Sequence, residues 1–136
     1  MKFKKIKDDL YVIRLERGEE VVEEIVSFCK DLDIESAEIK GIGALGEIEL
    51  KHYNVEKQAY SSRNFNEEME IGSLYGIFTD VGLHAHIVLG NNRMQSFSGH
   101  LEKGIVSATC EIILKIFPET LSRVHDEETG LKLLDI

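Results

Sequence analysis

The sequence predicts an α+β fold: a largely antiparallel β-sheet with one main α-helix packed on one face. Three observations carry this expectation. Apolar and polar residues alternate with period 2 in several runs, and one run has helical period instead. The connections between most runs are too short for parallel crossovers.

Leu10–Leu15, reading Leu-Tyr-Val-Ile-Arg-Leu, is rich in strand-forming residues. Val21, Val22, Ile25, Val26, Cys29 and Leu32 then form one apolar stripe at helical spacing, placing a helix over Glu19–Leu32. Gly18 is its expected N-cap, and Glu19, Glu20, Glu23 and Glu24 complement the positive helix start. Ser36–Lys40 and Gly46–Tyr53 read as strands on either side of a glycine-rich bend, and Glu68–Phe78, Leu83–Leu89 and Gln95–Leu101 read as further strands. Ile105–Phe117 alternates best, with Val106, Ala108, Cys110, Ile112, Leu114 and Ile116 on one face. Pro118 ends it. Leu121–His125 is a short strand, Asp126–Gly130 a solvated turn without calcium-loop spacing, and Leu131–Ile136 closes the chain. A helix on one sheet face leaves the other for solvent, a subunit interface or a site.

The 136 residues suit one domain spanning 1–136, and the 43% hydrophobic content excludes a disordered chain. With 16 basic and 25 acidic residues the net charge is −9, which opposes a general grip on nucleic acid. Four of the basic residues lie within positions 1–7. No apolar run reaches membrane-spanning length, and Met1–Asp9 lacks the apolar core of a secretory signal, so a cytoplasmic protein without membrane contact is expected. Cys29 and Cys110 read as buried apolar residues.

Gly41-Ile42-Gly43-Ala44-Leu45-Gly46 matches the letters of a dinucleotide fingerprint. The residues after it alternate as a strand, whereas the fingerprint needs a helix N-terminus there for the pyrophosphate. The glycines are therefore expected to permit a bend or bulge.

The chemistry lies with the histidines. In His84-Ala85-His86, strand geometry points both imidazoles to one face, where they can converge on a zinc ion, while Leu83, Ala85, Ile87 and Leu89 supply the core side. His100 is the possible third ligand. A two-residue Asn91-Asn92 turn would set His84 against Gly99 and send His100 to the wrong side. A three-residue loop would set His84 opposite His100, so a three-histidine site predicts an odd loop or an extra bulge. Glu111, Thr109 and Ser107 are the expected supporting residues around the ligands. His52 and His125 have no such partners and read as ordinary histidines.

Arg17-Gly18-Glu19-Glu20, Gly41-Ile42-Gly43-Ala44-Leu45, His84-Ala85-His86, Gly99-His100-Leu101, Val106-Ser107-Ala108-Thr109 and Asp126-Glu127-Glu128-Thr129-Gly130-Leu131 together resemble the plant-and-prokaryote conserved (PPC) domain, the domain of unknown function 296. The resemblance implies a single α+β domain that assembles as a homotrimer, with a metal at the positions of His84, His86 and His100; zinc is the first choice for three imidazoles. It also implies a fold similar to that of acetolactate decarboxylase, whose zinc is held by three histidines. In plants the domain follows a DNA-binding AT-hook; this sequence has no Arg-Gly-Arg-Pro core.

Three functions follow as expectations: a trimeric metal-binding domain with a regulatory or partner-binding role; a small metal-dependent enzyme acting on a small-molecule ligand at the metal, with Glu111 as the first choice for acid/base work; and a DNA-binding protein, which the charge disfavours.

Overall fold

The computed structural model describes residues 1–136. The elements run β1 (Lys2–Lys7), β2 (Leu10–Glu16), α1 (Val21–Asp31), β3 (Ala37–Asn54), β4 (Ala59–Thr79), β5 (Gly82–Gly90), β6 (Ser96–Ile116), β7 (Arg123–His125) and β8 (Lys132–Leu134). Strands 1–6 form an antiparallel sheet in the order β1-β2-β6-β3-β4-β5, and β5 also pairs with β6. The pairings β6–β3, β3–β4, β4–β5 and β5–β6 therefore close a ring. Strands β7 and β8 make a separate two-stranded sheet.

This corrects the expected α+β class with a main helix packed on a sheet face. Strands hold 65% of the residues and helix only 8%. The physical reason is that the glycines bend the strands without breaking them. β3 runs 18 residues through Gly41, Gly43 and Gly46, and β6 runs 21 residues through Gly99 and Gly104. Register shifts at Gly41/Gly43 and Gly43/Leu45 mark the bulges. At Gly43 the backbone has φ +150, and a Cβ there would lie 2.2 Å from the Thr109 carbonyl oxygen. Only glycine permits that approach.

Long bent strands let the sheet curl round its own core. Leu45, Met69, Ile71, Leu74, Ile87, Leu89, Leu101 and Val106 are at most 4% exposed. The 11-residue α1 adds Val21, Ile25, Phe28 and Cys29 to this core. Phe28 packs edge-on against Phe3 and Tyr11. The helix starts later than expected and is capped by Glu20, not Gly18. One Glu20 carboxylate oxygen accepts the Glu23 N–H at 2.7 Å, and the other accepts the Gly104 N–H at 2.7 Å. That buried carboxylate satisfies a helix end and a β6 amide together. Cys29 and Cys110 are buried and free, and burial pushes both thiols up to about 12, so neither is a ready nucleophile. No helix is long and apolar enough to cross a membrane.

The C-terminal hairpin is tied back onto the sheet. Tyr53 donates its hydroxyl to the Thr129 carbonyl at 2.7 Å, and the Leu121 N–H donates to Ser36 Oγ at 2.8 Å. Within the acidic turn, Asp126 accepts from the Thr129 N–H and hydroxyl at 2.8 and 2.6 Å, so its carboxylate is spent on turn geometry.

Candidate metal centre

Strand β5 alternates strictly around the site. Ala85, Ile87 and Leu89 are buried, whereas His84, His86 and Val88 are exposed on the outer face. The loop to β6 decides whether His100 joins them. Gly90 pairs with Ser96, leaving a five-residue loop, Asn91–Gln95. Asn91 builds it: its side-chain oxygen accepts the Arg93 and Gln95 N–H groups at 3.0 and 3.1 Å, and Met94 takes a left-handed φ of 59. The loop is odd, as a three-histidine site requires, but two residues longer than the three-residue version. His100 consequently pairs with His86, not His84.

The three rings meet. Their centroids lie 5.2 Å apart for His84–His86, 5.3 Å for His84–His100 and 5.8 Å for His86–His100. One ring nitrogen from each lies within 4.8 Å of the others. Zn–N bonds of about 2.0–2.1 Å at tetrahedral angles set nitrogens roughly 3.4 Å apart, so small side-chain rotations complete a three-nitrogen face.

The electrostatics suit a cation ligand set. His84 is pushed down to about 4, chiefly by desolvation, then by the Arg123 guanidinium and the neighbouring His100 and His86. Burial first, then His86 and Lys51, holds His100 below its ordinary value against the opposing pull of Glu102. At neutral pH these two rings are uncharged and offer lone pairs. His100 Nδ1 is buried with no hydrogen-bond partner, while its Nε2 lies 3.9 Å from Glu102, too far for a hydrogen bond. An unpartnered buried nitrogen beside two more imidazoles fits a metal ligand set.

A cavity of about 630 Å³ opens beside the rings, lined among others by Lys51, Tyr53, Tyr60, Tyr75 and Ser98. His52 lines it without joining the trio. His125 is on β7, 3.6 Å from Glu127. The expected supporting residues are not brought to the site. Thr109 and Glu111 pair with Glu16 and Arg14 of β2. Nine or more residues of bent strand lie between them and His100, and neither joins the trio or lines the cavity beside it. Ser107 lines a different cavity of about 570 Å³, with Ala44, Glu68 and Met94. The groups that do surround the trio are Glu102, Lys51, Tyr60 and Arg123. Glu102 was readable, since a residue two places beyond His100 shares its strand face. Arg123 reaches His84 through a hairpin 39 residues later in the chain, and no local pattern announces it.

Residues 4–118 match the Plants and Prokaryotes Conserved (PCC) domain. The chain belongs to the PCC domain family. Among solved PCC-like structures, a Bacteroides thetaiotaomicron protein provisionally named as DNA-binding is 33% identical, with a TM-score of 0.93 over 98% of this chain and 96% of that one. The Metal-containing Protein of Archaeoglobus fulgidus is 32% identical, with a TM-score of 0.84 over 98% of each chain. A Staphylococcus aureus protein of unknown function, described as similar to α-acetolactate decarboxylase, is 11% identical with a TM-score of 0.60, covering 79% of this chain and 52% of that one; this is a likeness of fold alone. The Bifunctional protein GlmU of Synechococcus sp. is 27% identical over 129 residues, and this PCC chain spans only 20% of that protein's length.

Proposed function

We propose that this PCC-domain chain binds one divalent metal ion, zinc by preference, through His84, His86 and His100, and that it works as a homotrimer with a regulatory or partner-binding role. The observation that carries the reading is the convergence of three imidazoles, one with an orphaned buried nitrogen. Three neutral nitrogen ligands favour zinc over hard cations, which prefer oxygen. The relative from Archaeoglobus fulgidus, named as metal-containing, supports the same reading. Direct DNA contact is disfavoured by the net charge of −9.

The cavity favours a second reading, a metal-dependent enzyme. Three protein ligands leave a fourth zinc position for water or a substrate oxygen, and the ion would polarise whatever binds there. In that case Glu102, not Glu111, is the carboxylate at hand.

The test is metal analysis of protein purified without added metal. The wild type should carry about one ion per chain, and the His84→Ala/His86→Ala variant should be empty. Equal metal content in both would reject the site.

A further inference from the structure

We propose that Arg123 turns the histidine cluster into an anion site, where a carboxylate or phosphoryl group is held beside the metal by the guanidinium. This inference rests on the metal reading above and adds the chemical class of its ligand. Strand β7 carries Arg123 to the trio, and one guanidinium nitrogen, Nη1, is fixed by donating to the Lys132 carbonyl at 2.9 Å. The other, Nη2, lies 3.2 Å from His84 Nδ1. Arg123 Nε is buried with no hydrogen-bond partner.

The chain has an excess of carboxylates, yet none pairs with Arg123. Lys51, the other cation close to the rings, is neutralised by Glu102 at 2.7 Å. Arg123 is thus the uncompensated charge at the site.

Its present neighbour is a poor partner. Guanidinium only donates, so His84 Nδ1 must accept from it. A metal bound through Nδ1 takes that lone pair and leaves Arg123 Nη2 without an acceptor. A metal bound through Nε2 leaves the neutral ring with its proton on Nδ1, and two donors then face each other. Either way the guanidinium sits beside a cation with Nη2 and Nε lacking an acceptor. An anion with two or more oxygens resolves both conflicts, since planar carboxylates and phosphates match the guanidinium fork. A cavity of about 220 Å³, lined by His84, His100, Arg123, Tyr60 and Leu131, has room for such a group.

The test uses full-length protein loaded with cobalt(II), desalted, and titrated separately with acetate and inorganic phosphate while the cobalt absorption bands are followed. In the wild type at least one anion should shift the bands saturably; the tighter of the two identifies a carboxylate or a phosphoryl ligand. Arg123→Met should keep its cobalt but bind that anion about 10- to 100-fold more weakly. Unchanged affinity in cobalt-loaded Arg123→Met overturns the proposal. If that variant fails to fold or load, Arg123→Lys decides. It should weaken acetate more than phosphate, because a point charge replaces the fork, and unchanged affinity for both overturns the proposal. A wild-type cobalt spectrum that neither anion alters rejects the anion site alone, whereas no cobalt spectrum at all rejects the metal reading and the anion site together.

Discussion

At the scale of single residues, two of the three imidazoles, His84 and His100, are held where charging them is unfavourable. His84 has its proton affinity lowered from the ordinary 6.5 to about 4, and His100 shifts the same way. The unfolded chain therefore takes up protons in that window that the folded chain refuses. Stability of the metal-free protein should rise with pH across it, and be lost as pH falls from about 6.5 toward 4. Melting temperatures of chelator-treated protein should show this slope, and His84→Asn should flatten it. Parallel curves for the two proteins would contradict the account. The histidines themselves were legible, because His-Ala-His on a strand has only one geometry. Their partner Arg123 was not, because a contact across 39 residues leaves no local periodicity.

At the scale of elements, glycine decides how the strands run. The alternation over Val106–Ile116 and the stripe through Val21, Ile25 and Cys29 were both readable: Val106, Cys110, Ile112, Leu114, Val21, Ile25 and Cys29 are buried. Ala108 breaks the pattern and is exposed, because the register shifts between Val106 and Cys110. On sequence alone the strands break at Gly41–Leu45 and at Glu102–Gly104, whereas β3 and β6 run through both. In a chain this rich in strand-formers, the ladder hydrogen bonds continue across a glycine, and the missing side chain lets the sheet bend there. Gly43→Ala should therefore cost roughly 3 kcal/mol or more, through backbone strain and collision with Thr109. Gly72→Ala is the control: its added Cβ would meet only the Val88 carbonyl at 3.7 Å, and a change within about 0.5 kcal/mol is expected. Urea unfolding of the two variants checks both. The same bends explain why Glu111, Thr109 and Ser107 miss the site: β6 is one strand of 21 residues, so its polar face serves two distant neighbourhoods.

At the scale of the whole molecule, the histidines stand on an outer sheet face that is partly apolar. Val12 pairs with Ile113, Ile113 with Lys40, Lys40 with Tyr75, and Tyr75 with His86, a row that crosses the sheet to the site. Val12, Ile42, Tyr75, Val88 and Ile113 on this face are 41–58% exposed. A partly apolar face of this kind suits contact between copies, and such a contact would bury surface next to the three histidines. On the proposed reading, metal content and assembly report on one face. Native mass spectrometry of protein purified without added metal measures both together. The account predicts a species of three times the 15.4 kDa chain mass carrying one divalent ion per chain. A metal-free protein of any mass would contradict the metal centre, and a metal-bearing monomer would contradict the trimer.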